Sequence, residues 1–168
     1  FDGGELKLAL EDGYEVHCFE PNPKMEEHLL SSEFAIINNA AAWNQGGTAK
    51  LYGRNSNDNS DMSLSLIKEK SNVDKENFIE IPTINIGQYL QNLDKDIEIL
   101  KVDTEGAEWI IIESILDNFD YRRIKGWYIE DHEIWILSDE WVQHKNKVLE
   151  RIESLGIIIK PWISYGHW

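Results

Sequence analysis

The chain has 168 residues, of which 16 are basic and 31 acidic, giving a formal net charge of -15. With 42% hydrophobic residues it carries enough apolar material for one domain spanning 1–168, and too much for a disordered chain. So acidic a chain repels phosphate backbones and anionic membrane surfaces, which argues against a general nucleic-acid or membrane binder. No apolar run approaches the ~20 residues of a membrane span. The single cysteine, Cys18, cannot form an internal disulfide and suits a reducing, cytoplasmic setting.

Short apolar runs alternate with helical patterns, the signature of an α/β domain with a mostly parallel sheet. Phe1 to Gly4 reads as the end of a first strand and a turn, and Glu15 to Phe19 as the next strand. About ten residues between them is the lower limit for a parallel crossover, which suggests a missing segment between Gly4 and Glu5. Asn22-Pro23 opens a helix through about Ser31, and Phe34 to Asn38 is a short strand. Thr48 to Tyr52 and Phe78 to Ile84 form a candidate hairpin pair flanking a polar loop over 53–77, either a lid or a mobile surface loop. Ile97 to Val102 reads as a buried, β-branched strand, Ala107 to Leu116 as a helix, and Ile124 to Ile129 as a strand. Ser138 caps a helix to about Leu155, ended by Gly156, and Ile157 to Lys160 returns as a strand.

Chemistry gathers where these strands end. Glu20, in Phe19-Glu20-Pro21-Asn22-Pro23, stands where an acid can accept from both ribose hydroxyls of a nucleotide, the plain alternative being a solvent-exposed Glu before a helix. Asp2, Gly3 and Gly4 allow close backbone approach to a ligand, with Asp2 able to accept from its amino group; a simple turn explains them equally. Asn39 and Ala40, after the third strand, can contact a base ring or make a plain turn. Asp103, Glu105 and Glu108 crowd three carboxylates into six residues at the end of the apolar strand. Mutual repulsion makes sense there if they face a cation, a metal or a proton in transit, although Glu105 and Glu108 can also serve the following helix dipole. Glu130-Asp131-His132 ends the next strand, on the same edge if the sheet is parallel; His132 there can act as a general base near neutral pH or be a surface histidine in a loop, and the two readings weigh alike. Trp109, Trp127 and Trp141 read as core.

The ordered combination FEPNP, NNAAA, TINIGQYL and ILKVDTEGAE, then a strand ending in Glu and His, resembles the FkbM-type S-adenosylmethionine-dependent methyltransferases from Phe1 to about Leu155. The resemblance implies a class I, Rossmann-like fold with helices on both faces of a mostly parallel sheet. It also implies O-methylation of a hydroxyl on a sugar, glycan or small natural product. Asp2 and Gly3 then match the start of the glycine motif, whose remaining part is not visible before Glu5. Glu20 matches the ribose acid, Asn39 and Ala40 the adenine segment, and Asp103, Glu105 and Glu108 the acidic motif at the methyl-transfer edge. Asp103 or His132 is then the base for the acceptor hydroxyl. No metal ligand set is assigned, although Asp103, Glu105, Glu130 and His132 could offer ligands. The rivals are a degenerate binding module on the same fold, an NAD-dependent oxidoreductase, which lacks GxGxxG, and a metal hydrolase, which lacks a histidine pair.

Overall fold

The structure, a computed structural model, describes residues 4–28, 35–54, 64–136 and 138–162. The first described element is helix α1 (Gly4–Glu11). Gly4 therefore belongs to a helix rather than to a turn, and Glu5 follows it within the same helix. Leu6 is buried, with Ala9 and Leu10 half-buried at the i+3 and i+4 positions of its face. Gly13, at φ 83°, turns the chain into β1 (Val16–Phe19). The segment from Pro23 is a 3-10 helix over Pro23–His28 rather than the α-helix expected there, and the end of that expected helix lies outside the described residues.

β2 (Ala35–Asn38) pairs parallel with β1. β3 (Ala41–Trp43) and β4 (Gly47–Arg54) lie on opposite sides of the long β5 (Val73–Asn85), β3 parallel and β4 antiparallel to it. The β4–β5 pairing matches the hairpin partners expected from sequence. Asn85 then caps α2 (Ile86–Leu93), its side chain accepting from the Gln88 backbone N–H at 3.0 Å. The chain continues through β6 (Ile97–Val102), α3 (Glu108–Asn118), β7 (Ile124–Ile129), α4 (Asp139–Ser154) and β8 (Ile159–Pro161). Ser138 caps α4 by accepting from Trp141 N–H, and Gly156 leaves it at φ 69°. β6, β7 and β8 form a parallel sheet in that order.

The result is a mixed α/β protein with four α-helices among the described residues and backbone pairing in three sheets rather than one. The starts of β1 and β6 are linked: Glu15, before β1, is ion-paired with Lys95, before β6, at 2.7 Å. Yet no ladder joins them among the described residues. Among the described residues β6 is consequently an edge strand, and Ile99 is 52% exposed. This corrects the reading of Ile97 to Val102 as a buried strand: an apolar run records a preference for burial, but a neighbour on each side is needed to satisfy it.

The main core surrounds α3. Ile112 and Ile115 are fully buried, packed with Val102, Trp109, Trp127, Ile129, Trp141, Val148 and Ile152. The three tryptophans expected in the core are there. α2 lies close against α3 through Gly87, where a Cβ would stand 2.2 Å from the Ser114 carbonyl oxygen. No described helix is long and apolar enough to cross a membrane.

Candidate active site

Parallel pairing brings the ends of β6 and β7 to one edge, since Val102 registers with Ile129 and Glu130 N–H donates to the Val102 carbonyl at 3.0 Å. Asp103 and Glu130 are therefore neighbours. Beyond Asp103 the backbone turns sharply, with Glu105 at φ 56° and Gly106 at φ 110°. Glycine suits the second position because a Cβ there would lie 2.8 Å from Ile136 Cδ1. Glu105, a non-glycine residue in the left-handed region, is held by two contacts. Ser65 Oγ donates to its carbonyl at 2.7 Å, and its carboxylate pairs with the Lys70 ammonium.

Glu108 opens α3 and is fully buried. Its Oε1 accepts from Thr104 N–H at 3.1 Å and Gly106 N–H at 3.0 Å, so it caps its own turn. The same oxygen lies 2.9 Å from His132 Nδ1. Glu108 is thus both a helix-terminal acid and the orienter of the histidine, and the two readings of it coexist. His132 is 9% exposed, with Nε2 3.6 Å from Glu105 Oε2. Burial alone would disfavour the imidazolium. The hydrogen bond and charge of Glu108, aided by Glu105, outweigh it and hold the His132 pKa above its ordinary value.

Glu130 is pushed above the usual carboxylate range by partial burial and by the charge of Asp103. Asp103 itself is paired with Lys101 at 3.2 Å. Asp131 points away from this group: it accepts from Trp109 Nε1 at 3.3 Å and pairs with Lys145, which also holds Glu133. Alternation along the chain therefore divides Glu130 and His132 from Asp131.

At the end of β1, Glu20 Oε1 accepts from Asn22 N–H at 2.8 Å. Burial raises its pKa, and Asp103 adds to the effect, which puts Glu20 and the acidic edge in one electrostatic field. Asn38 ties the strand ends together by donating to the Cys18 carbonyl at 3.1 Å. Next to it Asn39 is exposed, whereas Ala40 is 5% exposed and packed away, which leaves Asn39 the more accessible of the two. Asp2 and Gly3 lie outside the described residues, and Gly4 is in α1.

Sequence reasoning missed Ser65 and Lys70. Both sit in a polar stretch with no periodicity, and only their tertiary contacts reveal them. The Lys70 backbone also bridges to Ile136, fixing this part of the loop beside His132.

Parallel strands β6 and β7 thus end in a shared acidic edge, and β1 is followed by Glu20. A family model described as the methyltransferase FkbM domain matches residues 5–156, and the chain belongs to that family. No curated protein and no solved structure matches it.

Proposed function

We propose that this chain is a class I, Rossmann-like O-methyltransferase that uses S-adenosylmethionine on a hydroxyl of a sugar, glycan or small natural product. Membership of the FkbM methyltransferase family supports methyl transfer. The observation that carries the rest is the half-buried Glu20 at the end of β1 together with the acids past the ends of β6 and β7, with the starts of β1 and β6 tied by the Glu15–Lys95 ion pair.

The residues suit the cofactor. Glu20 is a half-buried carboxylate whose Oε1 serves its own turn, while Oε2 takes no hydrogen bond from any described residue. A ribose diol offers the two donors that such a group lacks. The acids at the β6 and β7 ends suit a positively charged sulfonium. When bound, the cofactor supplies an activated methyl group for in-line displacement by an oxygen nucleophile. The chain's own work is to align the acceptor oxygen, a contribution of roughly 7–11 kcal/mol in well-oriented systems. It must also exclude water and remove the hydroxyl proton. Asp103 and His132 are the groups placed to take that proton, and Glu108 stabilises the imidazolium that would result.

The test is calorimetric titration with S-adenosylhomocysteine, with Glu20→Ala as control. Micromolar binding that disappears in the variant is the expected result. Absence of binding by the unmodified chain would overturn the reading in favour of a binding module that keeps the fold without the chemistry.

A further inference from the structure

We propose that Asp103, Glu130 and His132 form a divalent-cation site. One ligand atom from each lies within 4.8 Å of the others. Oxygen ligands about 2.1 Å from an octahedral ion are roughly 3 Å apart when adjacent and roughly 4.2 Å when opposite, so small side-chain rotations close the trio on an ion.

Two further observations point the same way. The first is Glu108, a fully buried acid whose Oε1 meets His132 Nδ1. Its Oε2 is buried with no hydrogen-bond partner among the described residues. A buried acid with an oxygen unspent behind a histidine costs stability in isolation. It is the arrangement that orients an imidazole and raises its basicity toward a metal on the other side. The second is Glu130, which accepts no hydrogen bond from any described residue, while Lys70 is committed to Glu105 and Lys145 to Asp131 and Glu133. Lys101 pairs with Asp103 at 3.2 Å, and the charges of His132 and Lys101 act on Glu130 without a hydrogen bond to it.

The donor set narrows the ion. Two carboxylates suit Mg²⁺, Ca²⁺ or Mn²⁺, and the imidazole adds a preference for first-row transition ions over Mg²⁺ and Ca²⁺, of which Mn²⁺ is the convenient probe. Three protein ligands leave coordination positions open. The function of the ion rests on the methyl-transfer reading with one change: Asp103 and His132, spent as ligands, no longer take the proton themselves, and an open position holds the acceptor hydroxyl and makes it acidic enough to lose its proton to solvent. An acceptor with a second oxygen on the adjacent carbon, such as a vicinal diol, fits two open positions best.

The experiment is titration of EDTA-treated protein with Mn²⁺, following the free-ion signal by electron paramagnetic resonance. The proteins are the wild-type chain, Asp103→Asn, Glu130→Gln, and Glu98→Gln, an acid on the same strand paired with Lys125. Circular dichroism verifies each fold. The expected result is one site per chain, weakened by about 10–100-fold in Asp103→Asn and Glu130→Gln and unchanged in Glu98→Gln. Glu130→Gln suffices if Asp103→Asn does not fold. No saturable binding, or equal binding by all the proteins, would overturn the proposal. Mn²⁺ binding without S-adenosylhomocysteine binding would leave the cation site standing and remove only its assigned role.

Discussion

Lys70 and Glu105 form an ion pair in which the lysine side chain is 1% exposed and the glutamate side chain 25% exposed. A lysine this deep is tolerated only with a partner. The pair joins the polar loop to the acidic turn, and Glu105 in turn approaches His132. Lys70→Met keeps most of the volume and removes the charge, leaving Glu105 without its buried partner. The expected loss is about 1–3 kcal/mol of unfolding free energy in urea. Lys70→Met/Glu105→Gln should recover part of that loss, and identical stability for wild type and Lys70→Met would show that the pair contributes nothing.

Gly87 marks the closest approach of α2 and α3. An alanine Cβ would meet the Ser114 carbonyl oxygen at 2.2 Å and Asn118 Cβ at 2.7 Å. The first is backbone and cannot swing aside. Gly87→Ala should raise helix propensity yet destabilise the protein by about 1–3 kcal/mol, because overpacking forces the helices apart. A rise in melting temperature would contradict the packing described.

The Cys18 thiol is pushed up to about 11 by burial, with the charge of Glu20 adding to the shift. The native protein should therefore react slowly with thiol reagents at pH 8 and faster in denaturant. The linkage sign follows. The thiol is neutral in both states below pH 9; above it the unfolded thiol ionises first. Stability should fall between pH 9 and about 11, and less steeply in Cys18→Ala when both are followed by urea unfolding.

Ile99 offers the sharpest contrast with the sequence reading. On a strand covered on both faces, Ile99→Lys would be ruinous. At 52% exposure on an edge strand, it should change stability by no more than about 0.5 kcal/mol. It should also lower aggregation, since charge on an open edge blocks strand addition. Light scattering on heating would reveal the difference.

Much of this organisation is legible from local chemistry. Ser138 and Gly156 bound α4 because capping and left-handed conformation are properties of single residues. Asp103, Glu130 and His132 are recoverable because each ends an apolar run, and parallel pairing of those runs brings them together. Other features depend on partners distant in the chain. α2 hides in Ile86 to Leu93 because its pattern follows the long β5 without a break, and only the Asn85 cap separates them. The helical state of Gly4 is not readable from a glycine pair, which favours turns. Lys70 carries no sequence signal at all, since its burial is decided by Glu105, 35 residues away. The edge position of β6 is a property of the sheet and not of Ile97–Val102.

Among the described residues no backbone ladder joins β1 and β6, and this has a mechanical consequence. Glu20 is positioned relative to Asp103 by side chains: Glu15 to Lys95, His17 Nδ1 to the Tyr89 hydroxyl at 2.7 Å, and the Phe19 ring edge-on to Tyr89. Side-chain links stretch more readily than hydrogen-bonded strands, and the exposed ion pair among them weakens with salt. The spacing between the two acids is then a compliant dimension of the molecule, set partly by ionic strength, with Tyr89 as its hinge pin.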